Sequence, residues 1–309
     1  MKVILILIIL ILALIALAIL WAKSPLNPKR PILSQQIKEF SFPTQTNKKN
    51  SSLTLVTYNL GYASGTKNNQ GSLLSQTEVN KKLQKAAQAL ITIRPDIVFL
   101  QEVDFNASRS HYQDQAKFLA KALGLNYSAE AITWNLNYLP WPSWKPSLHF
   151  GPILSGQVIL SRFPLKNPKL INMQKPPNNP FWYNWFYLER VVQKVNLEIK
   201  GEDFSLYNAH LEAFDSQHRQ QQIEHLKKEL QKDQSKNLII AGDFNQNDRH
   251  LSLIENKDFA ISFPSFPSWE PKEFLDQIHG RSSKKLLNQG TIKQIETSDH
   301  LAVWIKLKL

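Results

Sequence analysis

The stretch LIIAGDFNQND, residues 238–248, places a cluster of polar side chains directly after a segment that reads as a buried strand. The apolar run ends at Gly242, and Asp243, Asn245 and Asp248 all lie within the next six residues. Such a cluster can form a polar turn, or it can bind a metal ion and a phosphate. One stretch does not distinguish these alternatives, so the rest of the chain has to.

Polar residues of the same restricted kind follow or precede other strand-like segments. They are Asn59 in TYN, Glu102 in LQE, His210 in NAHL, Asp276 in LDQIHG, and Asp299 with His300 in SDH. Each alone has a structural interpretation, because an Asn after a strand commonly forms a turn and a His in a strand commonly lies in the core. Together they predict a site, since residues at the ends of different strands can meet along one edge of a sheet.

These residue types suit metal-assisted hydrolysis of a phosphodiester. Glu102 can supply a carboxylate to Mg²⁺ or Mn²⁺, with Asp299 close by. His300 is suited to be the base that activates the attacking water, if a carboxylate orients its ring. His210 can give a proton to the leaving oxygen.

The amides of Asn59 and Asn245 can donate hydrogen bonds to phosphoryl oxygens. The chain contains no Cys, which excludes disulfides, thiolate metal sites and a cysteine nucleophile. No serine-nucleophile motif suggests a different chemistry.

Composition is that of a globular protein, with 309 residues, 42% of them apolar and 20% charged. The formal net charge of +12 suits polyanionic partners such as nucleic acid, anionic lipid or phosphorylated substrates. A surplus of this size can also serve solubility alone.

The first 22 residues predict a membrane anchor. Residues 3–22 contain no charge, and at about 1.5 Å per residue they can cross a hydrocarbon core of roughly 30 Å. A cleavable signal is the alternative, but the run is long and ILWAKSP is a poor cleavage site. We therefore expect an uncleaved single-pass anchor over 1–22, a flexible tether over 23–50 and a catalytic domain over 51–309. The lysines and arginine after the span favour a cytoplasmic domain, but an extracytoplasmic position is preferred for a single N-terminal anchor.

Alternating strands and helices predict a layered α/β sandwich without internal repeats. The predicted elements are strands over 53–59, 96–102, 156–164, 188–201, 202–213 and 237–245, helices over 75–93, 110–123 and 215–232, and a last strand in 285–309. Residues 131–152, with three Trp and four Pro, predict a long structured loop.

In the order TYN, LQE, LSRFP, NAHL, GDFN, LDQI and SDH, the chain resembles the endonuclease/exonuclease/phosphatase superfamily over about residues 53–308. The resemblance implies a four-layer α/β sandwich of two packed mixed β-sheets flanked by helices, and divalent-metal-dependent cleavage of phosphate esters. It implies that Glu102 binds the metal with Asn59 beside it and Asp299 near it.

The same resemblance implies that Asp243 and Asn245 hold the nucleophilic water and the phosphate, and that Asp276 pairs with His300. His210 is similar to the second histidine of the deoxyribonuclease and sphingomyelinase branch, and Arg190 to a phosphate-contacting arginine. For the carboxylate partner of His210 the sequence offers Glu212 or Glu130. The resemblance leaves Asp248 as a helix-start residue.

Substrate identity remains open at the level of sequence. The anchor and the aromatic clusters at 134–150 and 181–187 favour a membrane-anchored phosphodiesterase that acts on a phospholipid or related head group. The positive charge favours a tethered nuclease for DNA or RNA, whose bases aromatic residues could stack on. The aromatic residues can also be core packing, and an inactive phosphate-binding or scaffold domain is the alternative of another class. No obligate protein partner is evident.

Overall fold

The computed structural model describes residues 2–43, 51–66, 73–293 and 296–309. The strands in those ranges are β1 Gln35–Glu39, β2 Ser52–Asn59, β3 Ile97–Asp104, β4 Tyr127–Leu139, β5 Gly151–Ser161, β6 Lys166–Asn172, β7 Val191–Ile199, β8 Glu202–His210, β9 Asn237–Asp243, β10 Phe259–Ser262, β11 Asp276–Arg281, β12 Leu286–Ile292 and β13 Ala302–Lys308. The α-helices there are α1 Lys2–Lys23, α2 Gln76–Ile91, α3 Gln115–Leu123, α4 Phe181–Asn184 and α5 Ser216–Gln231.

The described strands form two sheets, of seven strands in the order β1-β4-β5-β3-β2-β13-β12 and of six in the order β10-β11-β9-β8-β7-β6. Both sheets are mixed, because β2 with β3 and β8 with β9 are parallel while their other neighbours are antiparallel. The two sheets pack face to face, and this confirms the predicted sandwich of two mixed sheets.

Apolar side chains fill the space between the sheets and the outer layers. Phe99 of β3, Phe204 of β8 and Ile239 of β9 belong to the buried cluster between the sheets. Leu83 of α2 lies in the cluster that covers the first sheet, and Leu226 of α5 in the cluster that covers the second. Burying each such side chain contributes about 1.5–3 kcal/mol, so the layers hold the strand ends in a fixed arrangement.

Helix boundaries follow the sequence signals closely. Ser75 and Glu78 form the predicted capping box of α2, and Asp215 caps α5 by accepting a hydrogen bond from the backbone of His218. The predicted helix over 110–123 is shorter, since α3 begins only after its cap at Asp114. It ends as predicted at Gly124, which has a positive φ of 65°.

The prediction of a loop over 131–152 is wrong for its first nine residues. Strand β4 continues to Leu139 and pairs with β5 as far as the Leu139–Gly151 pair. The first proline of the stretch is Pro140, so every residue before it still has an N–H for the strand ladder. The loop is therefore confined to residues 140–150.

The prediction of a flexible tether over 23–50 is also wrong where the structure describes it; residues 44–50 lie outside the described residues. Strand β1 pairs with β4 from Gln35–Ala131 to Glu39–Tyr127. The buried carboxylate of Glu130 is 2.6 Å from both the Arg30 guanidinium and the Lys38 amine. These contacts hold the segment on the sheet, and they show that Glu130 is not the carboxylate partner of His210.

Replacing Glu130 with Gln is expected to lower the free energy of unfolding by about 1–3 kcal/mol, because two cations lose a buried charged acceptor. Urea unfolding of the full chain in mild detergent measures it. The matched control is Glu198→Gln, since Glu198 is half exposed and 3.9 Å from Lys166; it should change stability by less than about 0.5 kcal/mol. Equal effects of the two substitutions would contradict the conclusion that the contacts of Glu130 with Arg30 and Lys38 hold the segment on the sheet.

Candidate active site

Strand direction brings the predicted site residues to one edge of the sandwich. Asn59 ends β2, and His210 and Asp243 end the parallel strands β8 and β9, where they are register partners. Asp276 opens β11, which is antiparallel to β9, and it is the register partner of Asp243. His300 precedes β13, which is antiparallel to β2, so it too lies at this edge. This edge is called the catalytic edge below.

Asp243 lies at the centre of these side chains and is almost fully buried. Its Oδ2 accepts a hydrogen bond from Asn59 Nδ2 at 2.9 Å and lies 3.8 Å from His300 Nε2 and 3.9 Å from His210 Nε2. Its Oδ1 accepts a hydrogen bond from the backbone N–H of Asn245. Burial raises the pKa of Asp243 to about 6, with His300 opposing the rise and Asp276 adding to it. The carboxylate thus contacts or approaches groups from both sheets.

His300 and Asp276 form the predicted pair. His300 Nδ1 lies 2.7 Å from Asp276 Oδ2, and Ser265 Oγ donates a hydrogen bond of 2.6 Å to the same oxygen. Burial lowers the pKa of His300, but the carboxylates of Asp276 and Asp243 outweigh it and raise the pKa to about 10. The pairing fixes the ring so that Nε2 faces Asp243.

Glu102 and Asp299 are two carboxylates of the catalytic edge that could hold a divalent cation. Glu102 is partly exposed at a register shift in β3, with a positive φ of 51°, and its Oε1 lies 3.5 Å from Asn59 Nδ2. Burial raises the pKa of Asp299 to about 6, His300 opposes the rise, and the negative charge of Glu102 adds to it. Two carboxylates that repel each other where water is scarce are stabilised by a cation between them.

A second set of possible ligands lies beside that pair. Asp243, Asp276 and His300 bring ligand atoms within 4.8 Å of one another. His300 Nδ1 is already bonded to Asp276, and a protonated imidazole has no lone pair to give. Of this buried acidic cluster, the carboxylates of Asp243 and Asp276 are therefore the members able to contact a cation, and Oδ1 of Asp276 accepts no hydrogen bond from the described residues.

The structure brings His210 to the catalytic edge but does not fit its predicted role as a proton donor at Nε2. Arg190 Nη1 lies 2.5 Å from His210 Nε2, and because a guanidinium can only donate, this nitrogen must be the acceptor. Burial and the charges of Arg190 and His300 lower the pKa of His210 well below its ordinary value. His210 is thus a neutral imidazole, 3.8 Å from Glu102 Oε1.

Arg190 is held in a buried polar network and not on an open surface. Its Nη2 donates to the hydroxyl of Tyr187, and its Nε lies 3.7 Å from Glu212 Oε2. The Tyr187 hydroxyl also donates to the Glu212 carboxylate at 2.9 Å. Glu212 therefore acts on His210 only through Arg190, which differs from the direct pairing predicted as one alternative.

Two further predictions concern the stretch after β9. Asn245 has a positive φ of 50°, and its Nδ2 donates one hydrogen bond to the carbonyl of Leu211, which leaves the second amide hydrogen for another acceptor. Asp248 does not begin a helix; its Oδ1 accepts from the backbone of His250 in a turn. The opening cluster thus contains one site pair and one turn residue.

Sequence reasoning missed the residues that support the site from behind. Ser298 Oγ donates to the carbonyl of Asn59 and accepts from the backbone N–H of His300, and the Phe266 ring lies 5.0 Å from the His300 ring. Ser298 belongs to the SDH motif, so its position was a usable signal. Ser265 lies in a stretch without a motif, and Tyr187 belongs to the aromatic cluster 181–187, whose composition indicates contact with lipid or bases or packing in the core, and not support for Arg190.

Replacing Tyr187 with Phe is expected to lower kcat about 3–30-fold with little change in KM, because Arg190 and Glu212 lose a shared hydrogen-bond partner. The measurement is steady-state hydrolysis of a generic phosphodiester with added metal. Tyr183→Phe is the matched control, since Tyr183 stacks on Tyr187 at 5.3 Å. A Tyr187→Phe variant with unchanged kcat would contradict the proposed support of Arg190.

Comparison with known proteins agrees with this geometry. The model of the Endonuclease/Exonuclease/phosphatase family matches residues 56–300, and the chain belongs to this family. The family contains hydrolases that act on phosphoester bonds and typically use divalent metals. No match was found among curated protein sequences.

Solved structures share the fold at low sequence identity. An endonuclease/exonuclease/phosphatase from Beutenbergia cavernae is similar with a TM-score of 0.62 and 17% identity, over 84% of this chain and 72% of that one. One from Bacteroides vulgatus gives a TM-score of 0.57 and 14% identity, over 84% and 99%. The structure of D. rerio TDP2 complexed with single strand DNA product is similar with a TM-score of 0.55 and 15% identity, over 84% of this chain and 100% of that one.

Proposed function

We propose that this chain is a membrane-anchored, divalent-metal-dependent phosphodiester hydrolase that acts on a phospholipid or related head group. The observation that carries the proposal is the His300–Asp276 pair, whose free Nε2 faces Asp243 across 3.8 Å beside the Glu102 and Asp299 carboxylates. That gap is wider than a hydrogen bond, so it leaves room for a group that bonds to both residues.

The proposed mechanism is in-line attack of an activated water. Asp243 and His300 orient the water, and His300 takes its proton while Asp276 holds the ring and stabilises the imidazolium. The remaining amide hydrogen of Asn245 donates to a phosphoryl oxygen, and Asn59, predicted from the sequence to do the same, instead orients the Asp243 carboxylate through its Nδ2. Glu102 and Asp299, with Asn59 beside them, would hold Mg²⁺ or Mn²⁺; the cation would neutralise phosphoryl charge and, by its positive charge, oppose protonation of His300, so that the imidazole is neutral and able to accept the proton.

The groups near the leaving oxygen follow from the His210 contacts. Because His210 Nε2 accepts from Arg190, the pair presents a positive guanidinium next to the Glu102 side of the site. In this proposal Arg190 stabilises charge on the phosphate and the leaving oxygen, and His210 orients Arg190.

Membrane anchoring is supported by α1, which is 22 residues long and exposed along almost its whole length. It is long and apolar enough to span a bilayer, and a signal sequence passes the same test. Contacts of its last turn with β4 favour a retained helix, because they would be lost on cleavage.

A tethered nuclease is the second proposal. The net charge of +12 suits a polyanionic substrate, and a similar structure was solved with a single strand DNA product. The third alternative, an inactive phosphate-binding domain, predicts binding without turnover.

The full chain in lipid nanodiscs with Mg²⁺ or Mn²⁺ tests these functions. The lipid of its own nanodisc is one substrate, and single-stranded DNA, plasmid DNA, RNA and bis-p-nitrophenyl phosphate are offered in solution, with Asp276→Asn as the matched control. We expect metal-dependent release of a head group from the nanodisc lipid that the control lacks. Cleavage of nucleic acid without lipid hydrolysis would support the nuclease, and absence of all turnover would support the binding domain.

A further inference from the structure

The C-terminal end of α1 is bonded to the catalytic domain. Asn137 Nδ2 of β4 donates to Ser24 Oγ at 2.7 Å and to the carbonyl of Trp21 at 3.4 Å, and its backbone N–H donates to the carbonyl of Ser24. The Trp21 and Tyr138 rings lie 6.2 Å apart. The helix therefore joins the domain through backbone and side-chain contacts on β4.

The residues that follow α1 continue this attachment. Asn135 exchanges hydrogen bonds with Asn27, accepting from its N–H at 3.0 Å and donating to its carbonyl at 2.8 Å, and it also donates to the carbonyl of Arg30. Arg30 then contacts the buried Glu130. The segment between α1 and β1 is thus bonded to β4 at Ser24, Asn27 and Arg30. We infer that these contacts fix the orientation of the domain relative to the axis of α1.

The attachment lies on the side of the catalytic edge. Strand β3 stops at the Asp104–Ser155 pair with β5, whereas β4 continues along β5 to the Leu139–Gly151 pair. The last residues of β4 therefore project beyond the edge at which Glu102 lies. Because α1 docks on this projection, it leaves the domain next to the catalytic edge.

Exposed aromatic side chains lie in the loop that follows β4, on which α1 docks, and on the segment whose Trp185 contacts Lys23 at the end of α1. This aromatic face consists of Trp141, Trp144, Phe181, Trp182 and Trp185, all of them exposed and Trp144 fully so. The amine of Lys23, the last residue of α1, lies 4.0 Å from the centre of the Trp185 ring. Trp185 is thus level with the end of the helix.

The segment that carries three of the five residues of the aromatic face also reaches the site. Trp134 Nε1 of β4 donates to the carbonyl of Phe186, and the hydroxyl of the next residue, Tyr187, contacts Arg190. Two more exposed aromatic residues lie close in sequence to residues that contact the site: Phe214, whose N–H donates to Glu212, and Trp269, beside Ser268. The Ser268 N–H donates to the carbonyl of Asp299.

We propose that the aromatic face lies in the head-group region of the bilayer that α1 crosses, and that the rigid attachment thereby holds the catalytic edge toward that bilayer. The proposal rests on the proposed membrane anchoring and deepens it, since it makes the lipid surface itself the source of substrate. Trp side chains, four of the five in the face, are favoured at this depth because the indole ring is apolar and carries a polar N–H, and Phe181 adds apolar area. The end of α1 places the face at the level of the membrane interface, and the occupant is therefore a bilayer and not a protein.

The absence of Cys from the sequence allows a direct test of orientation. Single-cysteine variants Trp144→Cys and Trp182→Cys of the full chain carry a fluorophore in nanodiscs that contain head-group nitroxide lipid. Lys200→Cys and Leu287→Cys are the controls, because the β7–β8 turn and the start of β12 lie at the ends of their strands remote from the catalytic edge. We expect quenching at 144 and 182 at least threefold stronger than at 200 and 287. Equal quenching at all four positions would overturn the proposal.

An activity measurement distinguishes this proposal about the aromatic face from the proposed hydrolase function. Phe181→Ser combined with Trp182→Ser is expected to lower hydrolysis of lipid in the nanodisc that holds the chain at least fivefold and to leave hydrolysis of soluble bis-p-nitrophenyl phosphate unchanged, with Leu287→Ser as control. Loss of both activities to the same extent would count against the membrane role. If the unaltered chain hydrolyses nothing, the proposed function fails, while the quenching pattern still decides the orientation.

Discussion

Replacing Asp276 with Asn is expected to lower kcat about 10³-fold, which is close to 4 kcal/mol of transition-state stabilisation, with KM changed by less than about threefold. Asp276 Oδ2 holds His300 Nδ1 at 2.7 Å and is itself held by Ser265. An Asn side chain at this position presents either its NH₂ group or an uncharged oxygen to His300 Nδ1. In both cases the His300 imidazolium loses the negative charge that stabilises it. Steady-state kinetics on a generic phosphodiester with saturating metal measures the effect.

The control for this substitution is a second buried carboxylate of similar setting. Asp233→Asn removes an acceptor from Tyr207 and Lys194 on the far side of the second sheet, so it should affect stability and not kcat. Circular dichroism should show both variants folded. An Asp276→Asn variant that keeps kcat within about tenfold of the unaltered chain would remove Asp276 from the mechanism.

The same pair predicts a pH dependence of stability in the metal-free protein. Burial lowers the pKa of His300, but Asp276 and Asp243 raise it to about 10, above the ordinary value of 6.5. A folded pKa above the unfolded one stabilises the folded state fully below about pH 6.5, and this contribution is lost as the pH rises toward 10. With EDTA present, the unfolding free energy should fall between pH 6.5 and 10, and the fall should be smaller in Asp276→Asn. Equal slopes for the two proteins would contradict the pairing.

The sequence predicted site residues best where a polar residue stands in a short motif at the end of an apolar, strand-like run. Asn59, Asp243 and His300 stand in short motifs at the ends of apolar runs, and parallel or antiparallel pairing of neighbouring strands is enough to bring such ends together. The layered fold follows from the same alternation of strands and helices. These features depend on local pattern, which sequence reasoning detects.

The remaining features depend on contacts between distant segments. Strand β1 is short and half exposed, so its place on the sheet depends on the pairing of Arg30 and Lys38 with Glu130, about 100 residues away. The protonation state of His210 likewise depends on Arg190. Arg190 precedes β7, whose first residue Val191 is the register partner of His210 on β8, and its guanidinium contacts the His210 ring. No periodicity or motif in the sequence indicates such long-range pairs. They are the reason that residues 23–43 are attached to the sheet and that His210 does not fit the predicted role of proton donor.

Replacing Glu102 with Gln is expected to weaken the binding of Mn²⁺ at least tenfold and to lower metal-dependent kcat about 10³-fold, because a hard cation loses one of its charged oxygen ligands. The stability of the metal-free protein should behave differently. Burial raises the pKa of Asp299 to about 6 and Glu102 adds to that rise, so removing the charge of Glu102 relieves repulsion at neutral pH.

Two readouts therefore have to move independently if the Glu102–Asp299 pair is a cation site. Titration with Mn²⁺ followed by electron paramagnetic resonance gives the affinity, and urea unfolding with EDTA gives the metal-free stability. Glu229→Gln is the matched control, because the Glu229 side chain is 18% exposed, as is that of Glu102, but lies on α5 beside Lys232. A cation site requires weaker Mn²⁺ binding together with undiminished metal-free stability in Glu102→Gln alone. If Glu102→Gln binds Mn²⁺ as the control does, the carboxylate serves only the fold, and the metal has to be sought at Asp243 and Asp276.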